Sequence, residues 1–173
     1  VWAYLKEKRF FGLVVPRAYG GLGFSATAQA AVVTRIATVN VAAAVTVMVP
    51  NSIGPAELLT HYGTEAQQHY WLPRLAAGID IPCFGLTNPY AGSDAASIPD
   101  HGVLVERVVD GQRQRGFLVS FDKRYITLAP VATVVGLAFR AINPAAPEGQ
   151  QDLGITCALL PVPLLGVDIG RRH

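Results

Sequence analysis

Residues 85–99, GLTNPYAGSDAASIP, carry two prolines, two glycines and three serine or threonine hydroxyls, and their only large aliphatic side chains are Leu86 and Ile98. The chain around them is 51% apolar. Neither a helical nor a two-residue apolar period fits the stretch, because Pro89 lacks a backbone donor and Gly92 has almost no conformational preference. It reads as a shaped loop, and loops of such specific composition are where proteins hold ligands. It follows a change of grammar, helical up to Gly78 and β after it.

Upstream, VWAYLKEKRFF places Trp2, Leu5 and Phe10 on a helix that Gly12 is expected to end, and Ser25 is a fitting N-cap for the Ala-rich stretch from Ala26. A further helix is expected from about Val41. Thr64 and Gln67 form a capping-box pattern that opens TEAQQHYWLPRLAAG, where Pro73 is expected to kink or divide the helix and Gly78 to close it. After Gly78, IPCFGL is a short β-like run. VLVERVV and GFLVSFDKRYIT flank Asp110-Gly111, a dipeptide suited to a tight hairpin turn. Val119 and Phe121 alternate with Ser120 and Asp122, which gives that strand one buried face. VATVVGLAFRA and ITCALLPV supply two more strands, separated by the proline-containing loop NPAAPEGQQDL. The expected fold is α+β: an N-terminal helical domain over residues 1–79, then an antiparallel, barrel-like β domain over residues 80–173.

Composition narrows the function classes. With 173 residues the chain can bury a sizeable core, and its net charge of +2 comes from scattered basic residues, so no nucleic-acid partner is expected. Arg113, Arg115, Lys123 and Arg124 read as solvated residues around the hairpin. Cys83 and Cys157 are too few and too far apart for a disulfide framework and read as small buried hydrophobes; the four histidines show no ligand spacing, so no metal is expected. The apolar run Val41 to Val49 falls short of the roughly 20 residues a membrane span needs. The first residue is not Met and the chain stops at GRRH after a strand-like run, which reads as a piece of something larger.

Two motif matches fail on their context. GLGFSA, residues 21–26, satisfies G-x-G-x-x-A, but four residues separate it from the preceding apolar run, and no acidic residue occurs between Glu7 and Glu57 to hold a ribose. An interhelical loop that needs its glycines for close packing or positive φ is the better reading. Ser93 does not make a nucleophile elbow, because Ala91 stands where G-x-S-x-G needs glycine. In AGSD, the amides around Gly92 and the Ser93 hydroxyl can form a donor nest for anionic oxygens, with Thr87 a short reach away; a turn that satisfies only its own backbone is the alternative.

Four stretches, taken together, resemble a known family. LTNPYAGSD, residues 86–94, resembles the LTEPxAGSD signature of the acyl-CoA dehydrogenases, and KRYIT, residues 123–127, resembles their KxWIT motif. PRAYGGLG, residues 16–23, and YWLPRLAAG, residues 70–78, resemble two further segments in the same order. Within the family, KRYITLAP, DLGITCAL and GRRH are most similar to the long bacterial enzymes of fatty-acid β-oxidation.

The resemblance implies FAD as cofactor, acyl-CoA as substrate and an electron-transfer flavoprotein as acceptor, with α-proton removal and β-hydride transfer to flavin N5 yielding the 2,3-enoyl-CoA. It implies that Phe84, Leu86, Thr87, Gly92 and Ser93 line the FAD, with Thr87 at the pyrimidine side of the ring and Ser93 near the pyrophosphate or the acyl-CoA. It also implies contacts from Tyr125, Ile126 and Thr127, with Tyr125 against the ring system and Thr127 near N5. Two positions depart from the pattern: Asn88 stands for the usual Glu and Tyr125 for the usual Trp. The family's base is a glutamate in a C-terminal helical domain that these residues do not include. None of Glu7, Glu57, Glu65, Glu106 or Glu148 matches its motif, so no catalytic residue is assigned and these residues alone are expected to be inactive. A homo-oligomer and a cytoplasmic location are expected, any membrane association resting on parts outside these residues. An acyl-CoA oxidase shares the fold and both motifs, and a degenerate acyl-CoA-binding or assembly module is the reading Asn88 and Tyr125 keep open.

Overall fold

The computed structural model describes residues 1–52 and 54–170; residue 53 and most of GRRH lie outside the described residues. Five helices come first: α1 (Trp2–Glu7), α2 (Ala26–Ala37), α3 (Val41–Asn51), α4 (Pro55–Tyr62) and α5 (Glu65–Ala76). Five strands follow: β1 (Pro82–Gly85), β2 (His101–Val109), β3 (Gln112–Ser120), β4 (Val134–Ile142) and β5 (Asp152–Pro161). The class is α+β. The chain forms two compact units, one of Val1–Phe84, Thr127–Gly136 and Leu159–His173, the other of Gly85–Ile126 and Leu137–Ala158.

In the first unit α2, α3 and α5 start where a side chain supplies a cap. The Ser25 hydroxyl accepts from the Ala28 N–H at 3.2 Å and the Asn40 amide oxygen from the Ala43 N–H at 2.9 Å. Thr64 and Gln67 close the expected capping box from both sides. Pro73 does not divide α5. Leu72, Leu75 and Ala76 are buried around it and hold the helix across the missing donor. Nor does Gly12 end α1, which stops at Glu7 before Arg9 turns left-handed at φ 58°. Gly12 serves packing instead, since a Cβ there would meet the Ala76 Cβ at 2.8 Å. Gly21 of GLGFSA is needed in the same way, because its Cβ would fall 2.0 Å from the Val15 carbonyl oxygen. One cluster joins Val15, Leu59, Leu72, Leu75 and Val134, and another Leu5, Phe11, Leu13, Val47 and Ile81.

The apolar stretch runs further than Val49. By length and composition alone, the 22 residues Val41–Tyr62 are long and apolar enough to cross a membrane. Buried Val47, Ala56 and Leu59 tie them into the two clusters. Buried Asn51 adds directional bonds, accepting from the Val14 N–H at 3.2 Å and donating to the Phe10 and Val47 carbonyls at 2.7 and 2.8 Å. A core segment with a fully used amide fits these contacts.

In the second unit β2 and β3 form the expected hairpin, from His101↔Ser120 to Val109↔Gln112. Asp110 and Gly111 both take positive φ, 50° and 77°, the geometry a tight two-residue turn demands. The sheet order is β1-β4-β2-β3, with β5 also on β4, so β3 is a terminal strand. An antiparallel sheet was the expectation; β2 and β4 instead pair in parallel over His101–Val103 and Arg140–Ile142, and the sheet is mixed. The cause is the long connection from Phe121 to Thr133: a tight turn would set β4 against β3, whereas this one carries it to the far side of β2, whose direction it shares. Gly102 lets the Phe139 ring approach β2 closely, where a Cβ would come within 2.4 Å of it. Phe117 meets the same ring edge-on at 5.4 Å. Much of the hairpin is exposed, including Val108 and Val109 near the turn and Leu118 toward the open end.

Candidate functional site

Asn88 begins a turn that its own side chain shapes. Its amide N–H bonds the Ala91 carbonyl at 3.0 Å, the Ala91 N–H returns to the Asn88 carbonyl at 3.2 Å, and the side-chain oxygen accepts from the Tyr90 N–H at 2.9 Å. The side-chain nitrogen faces inward. It donates to both carboxylate oxygens of Asp100 at 3.1 Å and to the Asp122 carbonyl at 2.9 Å. Glutamate has no donor for either task when ionised. Asn88 therefore suits a pocket whose fixed charge is already a carboxylate.

Asp100 is that charge: its side chain is 1% exposed and takes bonds from three donors, the Asn88 side-chain nitrogen, the Asp122 N–H at 2.8 Å and the Lys123 ammonium at 2.7 Å. Lys123 is 6% exposed and also donates to the Leu86 carbonyl at 3.0 Å. The expectation that Lys123 is a solvated hairpin residue is thus corrected; burial is compensated by the ion pair and a carbonyl. Arg113 and Arg115 are exposed as expected.

The network brings two of the sequence-selected segments together. The Arg124 N–H donates to the Thr87 carbonyl at 3.0 Å, so residues 86–88 and 122–124 run side by side within one unit. Leu86, Thr87 and Ile126 are half-buried; Gly92, Ser93 and Tyr125 are exposed. Tyr125 is 71% exposed and sits at φ 59°, a left-handed conformation that costs a side-chain-bearing residue about 1 kcal/mol or more. A Cβ at Gly92 would meet nothing within 4 Å, and its φ lies outside the left-handed range. The protein's own packing does not require glycine there, so the opening it leaves is available to something else. Phe84 and Thr127 belong to the other unit. The Phe84 ring packs where a Gly136 Cβ would stand, at 3.0 Å, and Thr127 is exposed two residues after Tyr125.

Asp100 and Lys123 are the residues that sequence reasoning missed as partners. They lie 23 positions apart with no motif spacing between them, and only the burial of a lysine inside KRYIT signals the pair. Among the described residues no group of three or more His, Cys, Asp or Glu could hold a metal ion. Cys83 is buried as expected and its thiol is pushed up to about 11 by desolvation. Cys157 is exposed, against expectation, because it lies on an outer position of β5.

Residues 1–79 match the family described as acyl-CoA dehydrogenase, N-terminal domain. The chain is 41% identical over 97 residues to the mitochondrial very long-chain specific acyl-CoA dehydrogenase of Homo sapiens, covering 56% of this chain and 15% of that protein. It is 34% identical over 162 residues to an acyl-CoA dehydrogenase of Bacillus subtilis, covering 94% of this chain and 39% of that protein. The fold is similar to that of the Bacillus anthracis acyl-CoA dehydrogenase complexed with FAD, with TM-score 0.78 and 22% identity over 99% of this chain and 27% of that one.

Proposed function

We infer, from a chain that belongs to the acyl-CoA dehydrogenase family, that it is the FAD-contacting part of an enzyme that desaturates fatty acyl-CoA thioesters between Cα and Cβ. The carrying observation is the Arg124 N–H to Thr87 carbonyl bond, which aligns the two segments that resemble flavin motifs. The chain spans 39% of the Bacillus subtilis relative and less of the human one, so the activity is proposed for the whole protein.

The residues fit the group. FAD offers a flat ring system and a diphosphate; the second unit offers an exposed aromatic side chain at Tyr125, a threonine at 87, and a serine beside an open glycine flank at 92 and 93. Thr87 is proposed to bond the pyrimidine side of the ring, Tyr125 and Ile126 to line it with Leu86, and Gly92 and Ser93 to receive the diphosphate or the acyl-CoA. Phe84 and Thr127 keep their implied roles, Thr127 as the hydroxyl near N5. When bound, the flavin supplies the hydride acceptor. The chain's own residues supply orientation, and hydrogen-bond donors that stabilise negative charge on the reduced ring. No base is assigned, and an electron-transfer flavoprotein is the proposed acceptor.

The test is direct. Denaturing the purified full-length protein is expected to release FAD, and anaerobic addition of a fatty acyl-CoA is expected to bleach it. Release of no flavin overturns the reading. Thr127→Val is expected to leave the fold intact and slow bleaching, because it deletes a hydroxyl and almost no volume; an unchanged rate removes Thr127 from the mechanism.

A further inference from the structure

We propose that Asp100 is a positioning residue for flavin binding: its carboxylate is the common acceptor that holds the Leu86–Ala91 turn and the Asp122–Tyr125 turn at one fixed spacing. This role rests on the flavin reading above. Asp100 lies outside both motif-like stretches and does not belong to the surface that Thr87 and Tyr125 present.

The argument is one of valence and burial. Three donors from two segments converge on two oxygens: the Asn88 side-chain nitrogen at 3.1 Å to each oxygen, the Asp122 N–H at 2.8 Å and the Lys123 ammonium at 2.7 Å. Only an ionised carboxylate accepts at both ends without presenting a donor of its own. Lys123 and Asn88 then reach across to the opposite strand of chain, Lys123 to the Leu86 carbonyl at 3.0 Å and Asn88 to the Asp122 carbonyl at 2.9 Å. Each segment is thereby bonded to Asp100 and to the other segment. The Arg124 N–H to Thr87 carbonyl bond sits next to this hub and inherits its spacing. Thr87 and Tyr125 follow from it, since one shares that bonded residue and the other is the next residue in the chain. Asp100 itself is fixed from behind by its carbonyl, which accepts from the Arg140 N–H of β4 at 2.8 Å. The hub is thus anchored to the sheet, and both turns are anchored to the hub.

A purely structural residue and a positioning residue separate in a pair of variants of the full-length protein, read by FAD titration, thermal unfolding and amide exchange. Asp100→Asn offers one acceptor oxygen to three donors and strands the Lys123 charge. It is expected to weaken FAD binding at least about tenfold, to alter the visible circular dichroism of bound flavin, and to speed exchange of the Arg124 amide. Adding Lys123→Met removes the stranded charge. The double variant D100N/K123M is expected to regain thermal stability relative to D100N and yet keep the weakened FAD binding and the fast Arg124 exchange, because the acceptor is still missing. Recovery of FAD affinity in step with stability overturns the positioning role and leaves Asp100 a stabilising residue only. Wild-type affinity in D100N overturns it as well. Failure of the wild-type protein itself to bind FAD overturns the flavin reading and this role with it, a result distinct from the other two.

Discussion

Gly92 separates what the fold needs from what a ligand needs. Open space surrounds the place where its Cβ would go, and its backbone is not left-handed, so Gly92→Ala is expected to leave ligand-free stability unchanged or raised by about 0.4–1 kcal/mol. The same variant is expected to weaken FAD binding at least about tenfold, or about 1.4 kcal/mol. Full flavin occupancy in G92A, measured by absorbance after gel filtration, refutes the loop as a phosphate cradle. Chemistry at the two thiols follows from burial in the same way. Cys83 is buried with its thiol pushed up to about 11, and Cys157 is exposed with its thiol pushed up by desolvation. A thiol-specific disulfide reagent is expected to label Cys157 first, faster as pH rises, and Cys83 only with unfolding. Early labelling of both overturns this. At this scale Thr87 and Ser93 stood out because hydroxyls and glycine occupy a non-periodic stretch, and Tyr125 only through the resemblance of KRYIT to a family motif. Asp100 was not, because a buried carboxylate looks like any other loop aspartate until its donors are located.

At the level of elements, the join between β4 and β5 carries a pH signature. Asp152 is held below the usual aspartate pKa, first because the Gly154 N–H donates to it at 2.8 Å and then because the Arg140 guanidinium lies 2.6 Å away. A depressed folded value stabilises above the ordinary aspartate pKa of about 4, and that contribution fades as pH falls through the lower folded value. Wild-type protein is therefore expected to exceed Asp152→Asn in urea midpoint near neutrality, with the gap closing in acid. A gap that stays constant between about pH 6 and pH 3 rules this out. Asn51 tests the helical unit. Replacing it with Leu leaves the Val14 N–H and the Phe10 carbonyl without their partner and is expected to cost about 2–4 kcal/mol by denaturant unfolding. A loss under about 0.5 kcal/mol refutes the pin. Caps and the hairpin turn were legible here because each is set within four residues of sequence. The continuity of α5 through Pro73 and the parallel pairing of β2 with β4 depend on packing and on a crossover, which no local pattern encodes.

For the molecule as a whole, the hairpin sets the terms on which copies of the chain tolerate one another. Among the described residues β3 ends the sheet, and its outer edge lies beside exposed Val108, Val109, Phe117 and Leu118. Such an edge recruits a strand from another chain unless charge opposes the approach. Arg113 and Arg115 stand there, Arg115 only loosely engaged by Glu106 at 3.4 Å. The combined variant Arg113→Val and Arg115→Val is expected to keep its unfolding midpoint and lose solubility, forming thioflavin-positive aggregates during quiescent incubation; a clear solution at matched concentration refutes this. On the expected outcome Arg113 and Arg115 are gatekeepers, charges that keep an apolar edge from pairing with another copy of itself.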